Sequence, residues 1–467
     1  MPRTSRLLPL TLLALWSGCT VGPSYKRPAM EVPASYRGET MEAPPAASLG
    51  EVQWWEVFRD EELQGLIRRA LHVNYDVRIA ATRILQSRAQ VTITRAAQFP
   101  TVSAGATVGR QRQPAQEFGG LTVPQFEFNT FQLDALLSWE LDFWGKFRRA
   151  TEAARANLLG SEWAQRAVLI SVVSTVANAY FQLRELDLEL EIARRTLASR
   201  EESLRLTRIQ EEGGVVSLLD VRQAEQLVFT AAETITDAER RIEQQENVLS
   251  ILLGQNPGPI PRGLALTDQP QPPTIPAGLP SALLERRPDI RQSEQALIAA
   301  NAQIGVAKAA YFPTISLTGS GGVQSFALAS LFTGPAGFWS LAGSLVQPIF
   351  SAGRIRANVR LTEAQAEELV NTYRRTVQQG FQDVSNALVG HRKAREFRER
   401  QALLAASTQD AARLSDLRYR GGATSYLEVL TSQTNFFSAE LGLAQARLNE
   451  LLALVQLYSA LGGGWQP

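Results

Sequence analysis

The chain of 467 residues is poor in the side chains on which most site chemistry depends: one cysteine, two histidines and three methionines. A single thiol excludes a disulfide framework within the chain. His72 and His391 lie in separate, strongly polar helical stretches, form no imidazole cluster for a metal or a general base, and are both expected on the surface. Met1, Met30 and Met41 all sit near the start, which leaves no thioether cluster further along for copper or silver. An excess of one charge is also missing: 47 basic and 46 acidic residues give a formal +1, with Lys and Arg spread rather than clustered. That balance argues against a nucleic-acid binder. No later segment reads as a membrane-spanning helix. The nearest, Ala167 to Leu183 between Arg166 and Arg184, carries Ser171, Ser174, Asn178 and Gln182. It falls short of a span of about 20 apolar residues and is expected to be the buried part of a longer helix. There is no nucleophile–base pair and no metal-ligand spacing, and Gly319 to Gly322 falls in a strand pattern rather than before a helix. No catalytic residue, metal or diffusible cofactor is expected.

The single cysteine closes the one stretch that reads as an address. Arg3 and Arg6 make a basic start, Leu7 to Trp16 an apolar core, and Ser17 and Gly18 the small residues before Cys19. Residues 1–18 are therefore expected to be a bacterial signal peptide ending in a sequence similar to a lipobox, with Trp16 where an aliphatic residue is usual. Cys19 would carry the lipid anchor, each buried methylene contributing about 0.8 kcal/mol. An ordinary signal peptide with an incidental cysteine is the alternative. Thr20 in place of aspartate fits sorting to the outer membrane.

What the chain has in plenty is repetition. Phe99-Pro100-Thr101-Val102-Ser103 returns as Phe312-Pro313-Thr314-Ile315-Ser316, and Asp76 and Arg78 return as Asp289 and Arg291, all 213 residues on. Gly145 pairs with Gly353, Gly213 and Gly214 with Gly421 and Gly422, and Leu253-Gly254 with Leu461-Gly462, now 208 residues on. Two copies of one architecture are implied.

Each copy switches from helix to strand and back. After Pro100, Val102, Ala104, Ala106 and Val108 alternate with Thr101, Ser103, Gly105 and Thr107; the returning run Phe131 to Phe143 alternates in the same way. The second copy repeats the parity, with Ile315, Leu317 and Val323 against Thr314, Ser316, Thr318 and Ser320, then Trp339, Leu341, Leu345 and Ile349 against Ser340 and Ser344. Period two over about 12 residues fits a half-buried soluble strand or a transmembrane one. The uncharged run from Ala309 to Gly353 favours the membrane, as do Phe128, Phe131, Trp139, Phe143, Trp144, Phe338, Trp339 and Phe350, gathered toward strand ends like interfacial girdles. About 12 residues at roughly 3.3 Å each also suffice to cross a bilayer at a tilt. Four strands cannot close a barrel, and open edges cannot face lipid, so the chain must associate. A dimer would give eight strands with a filled interior, a trimer twelve and room for a pore.

Proline biases its predecessor toward extended geometry, so Pro100 and Pro313 mark the switch into strand, and Gly145 and Gly353 the switch back. From Lys146 to about Ile209 there is no proline and one glycine, Gly160, and Leu183, Leu186, Leu190, Ala193, Leu197 and Leu204 form a coiled-coil seam. At 1.5 Å per residue this is a rod of about 95 Å; Arg354 to about Tyr419 repeats it. Each rod turns at its glycine pair and returns as a shorter helix. The plan is 19–75 as a lipidated N-terminal segment with a first helical motif, 76–254 as repeat 1 (hairpin about 100–143, coiled-coil hairpin 145–254), and 255–288 as a proline-rich linker. Repeat 2 follows at 289–462 (hairpin about 313–350, coiled-coil hairpin 353–462), with a tail at 463–467. The N-terminal segment and linker are expected to pack on the outside of the helices.

Five stretches resemble motifs of one family. They are Cys19-Thr20-Val21-Gly22-Pro23-Ser24-Tyr25-Lys26-Arg27-Pro28, Trp54-Trp55-Glu56-Val57-Phe58-Arg59-Asp60, Glu140-Leu141-Asp142-Phe143-Trp144-Gly145-Lys146, Gln347-Pro348-Ile349-Phe350-Ser351-Ala352-Gly353-Arg354, and the run from Arg418 to Leu430. The family is the outer-membrane factors, the TolC-like and OprM-like channel lipoproteins. The resemblance implies a mainly α protein with a transmembrane β portion: a homotrimer whose 12-stranded β-barrel, four strands per chain, lies in the Gram-negative outer membrane and continues into a periplasmic α-barrel. It further implies a passive channel of a tripartite efflux system, partnered by a periplasmic adaptor (membrane fusion protein) and an inner-membrane pump of the resistance-nodulation-division type. By the same resemblance Tyr419, Leu427, Glu428 and Thr431, with Asp220 at the matching tip, are the periplasmic gate, and Gly213, Gly214, Gly421 and Gly422 the tips that meet the adaptor. For Asp220 and Glu428 the plainer alternative is a solvated carboxylate at a helix start. Two other functions stay open: the duct of a type I protein secretion system, and a periplasmic coiled-coil scaffold lipoprotein, which would leave the hairpins unexplained.

Overall fold

The structure, a computed structural model, describes residues 20–37, 48–118, 121–270 and 280–463; Cys19 and the expected signal peptide lie outside the described residues. Its chain divides into two compact units, one of residues 1–28, 84–160 and 293–373, the other of 29–83, 161–292 and 374–467.

The helices are α1 (Trp54–Val57), α2 (Glu61–Val73), α3 (Tyr75–Ala96), α4 (Lys146–Glu212), α5 (Leu218–Leu252), α6 (Pro280–Arg286), α7 (Pro288–Ala309), α8 (Arg354–Arg420) and α9 (Tyr426–Ala460). The duplication shows in their lengths: α4 and α8 are 67 residues each, α5 and α9 35 each. It shows again in the backbone, where Gly145 and Gly353 (φ 78° and 82°), Gly214 and Gly422 (71° and 69°), and Gly254 and Gly462 (62° and 77°) adopt the left-handed conformation in pairs. Of each tip pair only the second glycine does so. At the first tip Val215 N donates to Gln210 O at 2.8 Å and Gly214 N to Glu211 O at 2.9 Å; at the second, Ala423 N donates to Arg418 O and Gly422 N to Tyr419 O, both at 2.9 Å. These paired bonds satisfy carbonyls that a helix end leaves bare.

The first unit holds the sheet. Strands β1 (Thr101–Gln113), β4 (Phe126–Leu141), β5 (Thr314–Ser325) and β6 (Gly337–Val346) pair antiparallel in the order β1-β4-β5-β6. A short ribbon of β2 (Gln116–Phe118) and β3 (Leu121–Val123), not foreseen, extends the first hairpin. The two copies meet at β4 and β5, with Leu137 opposite Gly319. β1 and β6 each pair on one side only, so the sheet ends in two open edges.

The N-terminal segment straps this unit. A Cβ on Gly22 would lie 2.5 Å from Gly305 Cα, and one on Gly305 2.7 Å from Val21 O, so two glycines let the strap cross α7 in contact. Further along, Asn301 Nδ2 donates to Pro23 O at 2.9 Å. Glu294, 4% exposed, accepts from the Arg27 guanidinium at 2.6 and 2.7 Å and from the Tyr25 hydroxyl at 3.2 Å.

The core of the second unit gathers Leu63 and Ile67 of α2, Val173, Val176, Tyr180 and Leu183 of α4, Leu249 and Leu253 at the end of α5, and Leu457, Tyr458 and Leu461 at the end of α9. The apolar stretch of α4 is thus core, as expected. The sequence places both histidines on the surface; His72 is exposed, but His391 is half-buried, and burial together with Arg395 holds its pKa below the usual histidine value. A polar helix face still buries a side chain when another segment packs over it. Here Leu266, Thr267 and Gln269 of the linker line the same pocket as His391.

Candidate functional site: a two-faced sheet and the helical tips

The strand register fixes which side chains share a face, because directly paired residues point the same way. On one face β1 presents Val102, Ala104, Ala106 and Val108, β4 Leu133, Ala135, Leu137 and Trp139, β5 Ile315, Leu317 and Val323, and β6 Trp339, Leu341 and Leu345. The opposite face carries Ser103 and Thr107, then Gln132, Asp134, Ser138 and Glu140, then Ser316, Thr318 and Ser320, then Ser340 and Ser344, with Leu136 apolar among them. Hydroxyl pairs line this polar face, Ser316–Ser344 and Ser320–Ser340, both at 2.7 Å. On the apolar side Trp339 and Leu341 are 83% and 73% exposed. The girdle expectation fails for two aromatics. Phe128 pairs with Gln111 and Phe338 with Gly322, which puts both on the polar face; position near a strand end does not decide the face, parity does.

The junctions are built as expected. α3 and α7 stop at Ala96 and Ala309, the chain passes Pro100 and Pro313, and β1 and β5 begin at the next residue. On the way back, Asp142 accepts from the backbone N–H of Phe147 and Arg148 at 3.1 and 2.9 Å, capping α4 beside Gly145. Gly353 follows Ala352, the one described non-glycine residue with positive φ, 46°. Trp144 ties the two copies together: its ring stacks on Phe312 at 4.7 Å and its Nε1 donates to Pro313 O at 2.8 Å. Thr20 lies against Gly145, where a Cβ would meet its Cγ2 at 2.6 Å, and Val21 N donates to Trp144 O at 3.1 Å.

At the tips the two copies diverge. Asp220 accepts from both the backbone N–H and the hydroxyl of Ser217 at 2.9 Å, so it caps α5. Glu428, the matching residue of α9, leaves Ser425 without a side-chain cap bond; its carboxylate accepts a hydrogen bond from the Thr424 hydroxyl and lies 3.3 Å from Arg418 Nη1. Tyr419 donates to Gln210 Oε1 at 3.1 Å and packs edge-on against Tyr426 at 5.3 Å, and burial and the nearby Asp220 both raise its pKa. Tyr426 is 3% exposed, and burial pushes its hydroxyl up to about 12. Leu427 is 57% exposed, and the Thr431 hydroxyl donates back to Leu427 O at 2.9 Å. The structure therefore brings Tyr419, Glu428 and Asp220 into one neighbourhood. Sequence reasoning had no signal for Gln210 or Arg418 as partners, because each sits on a different helix from the residue it meets; Thr424, four residues before Glu428, could have been found from that spacing.

A protein family described as outer membrane efflux protein matches residues 66–255 and 279–463, one match per repeat. The chain is 39% identical to the "Probable efflux pump outer membrane protein TtgC" of Pseudomonas putida over 470 residues, 99% of this chain and 96% of that one. It is 34% identical to the "Cation efflux system protein CusC" of Escherichia coli, covering 99% of each. Among solved structures, the open-state MtrE outer membrane channel of Neisseria gonorrhoeae matches with a TM-score of 0.86 at 34% identity, covering 96% of this chain and 99% of that one. The outer-membrane channel OprN matches at 0.87 and 31%, covering 96% and 100%. With the two-faced sheet and the duplicated helical hairpins, these matches establish that the chain belongs to the outer membrane efflux protein family.

Proposed function

We propose that three copies of this outer-membrane protein join sheet edges, β6 of one against β1 of the next, in a twelve-stranded barrel whose apolar face meets lipid and whose polar face lines a water-filled pore. Alternation of strand direction makes that junction antiparallel, as every other pairing in the sheet is, and closure removes the edges that lipid forbids. The observation that carries the reading is the apolar face that Val102 to Val108, Phe131 to Trp139, Ile315 to Val323 and Trp339 to Leu345 form across four strands, backed by a polar one. The channel performs no bond chemistry; an inner-membrane pump supplies the energy, and a periplasmic adaptor docks at the tips around Gly213, Gly214, Gly421 and Gly422. Cys19 carries the lipid, because its neighbour Thr20 rests on the strand-to-helix junction at Gly145, which the barrel sets at the membrane surface.

The cargo is organic solutes. Relatives are named for toluene and for antibiotics, and this chain places no methionine in strands or tip helices for soft cations. A strain lacking the chain should become sensitive to toluene and apolar antibiotics, and plasmid-borne wild type should restore tolerance. Sensitivity to copper alone would overturn the cargo assignment, and no change beside an active pump would overturn the channel. Radiolabelled palmitate should label the wild type and not Cys19→Ala.

A further inference from the structure

The second unit contains a groove of about 580 Å³ between α4, α8 and α9. Arg200 of α4 lines it and is 3% exposed. Its Nη1 donates to Leu227 O of α5 at 2.7 Å, and its Cζ lies 4.8 Å from the centre of the Phe437 ring of α9. Among the described residues its Nε has no acceptor, and Oε1 of Gln433, in the same lining, has no donor.

The other arginines of the groove are each paired with a carboxylate: Arg195 with Glu440 at 2.6 Å, Arg413 with Asp410 at 2.8 Å, Arg420 with Asp416 at 2.8 Å. Among the described residues no carboxylate lies within ion-pair distance of Arg200. One carbonyl and one ring face leave most of a guanidinium's five donors unmet, and a buried charge without a counter-ion is costly. Burial also presses the Arg200 pKa down. The remaining lining supplies what an anion with an apolar body would need. Phe436 and Phe437 form an aromatic wall, and the Gln433 amide, turned half a revolution, presents its NH₂ in place of Oε1.

We propose that this groove binds a small aromatic carboxylate, its carboxylate held by Arg200 and Gln433 and its ring against Phe436 and Phe437. Occupied, the groove would join α4 of the first copy to α8 and α9 of the second through one counter-ion. The site lies within the second unit, so it stands or falls independently of the barrel.

The test is fluorine NMR of 4-fluorobenzoate with the purified full-length protein in detergent, with 4-fluorobenzamide as the neutral control. Saturable broadening of the benzoate and none of the amide is expected, and Arg200→Met should weaken binding at least tenfold, the loss of one charge-assisted contact. Phe436→Ser, a change at a half-buried wall position, should weaken it several-fold and carries the test if Arg200→Met does not fold. Equal binding of acid and amide, unchanged affinity in either folded variant, or no binding at millimolar ligand would overturn the proposal.

Discussion

Asp60 is a carboxylate with five donors around it: the backbone N–H of Glu62, Leu63 and Leu264, the Tyr180 hydroxyl at 2.8 Å and Gln269 Nε2 at 2.9 Å. It caps α2 and pins the linker to α4 at once. Gly263 passes so close that a Cβ would strike Asp60 Oδ1. Asp60→Ala strands several buried donors and should destabilise the protein by about 3 kcal/mol in urea unfolding. Glu185 is a different case. It is 5% exposed, and burial, with Glu189 four residues on, raises its pKa to about 7. The folded state then holds a proton that the unfolded state releases near pH 4.5, so stability is lost as pH rises between those values. Glu185→Gln removes this penalty. It should raise stability at pH 8 by up to about 3 kcal/mol and change little at pH 4, read from melting at both. At the tips, Ser217 and Asp220 stand at the same spacing as Ser425 and Glu428, so the sequence predicts the same cap at both. In the structure Asp220 caps α5, whereas the Glu428 carboxylate turns to Thr424 and Arg418. Glu428→Gln should increase single-channel conductance, whereas Asp220→Asn should cost only about 0.5–1 kcal/mol of helix capping and leave conductance unchanged.

At the scale of elements, strand parity and helix length were legible because each is a local period. The junctions were legible because proline and glycine restrict or free the backbone at the point of the switch. The β2–β3 ribbon was not: three-residue strands carry too little alternation to register, and pairing alone defines them. The half-burial of His391 was hidden for the opposite reason, since it depends on a linker more than a hundred residues away. The route of the strap across α7 was likewise invisible, although Gly22 and Gly305 are its signature once they are seen in contact. Gly305→Val should lift the strap from α7. Hydrogen exchange of residues 20–27 should rise at least tenfold while the Leu63 and Leu249 region stays protected.

For the whole molecule, the duplication says why four strands suffice per chain: each copy contributes one hairpin, and β4 against β5 fuses them. In the proposed barrel the sheet divides lipid from water. Single cysteines at Leu133, Leu137, Gln132 and Asp134, introduced into a Cys19→Ser background and treated in intact outer membranes with a membrane-impermeant maleimide, test it directly. Rapid labelling at 132 and 134 and protection at 133 and 137 are expected. Labelling at 133 and 137 with protection at 132 and 134 would contradict that division.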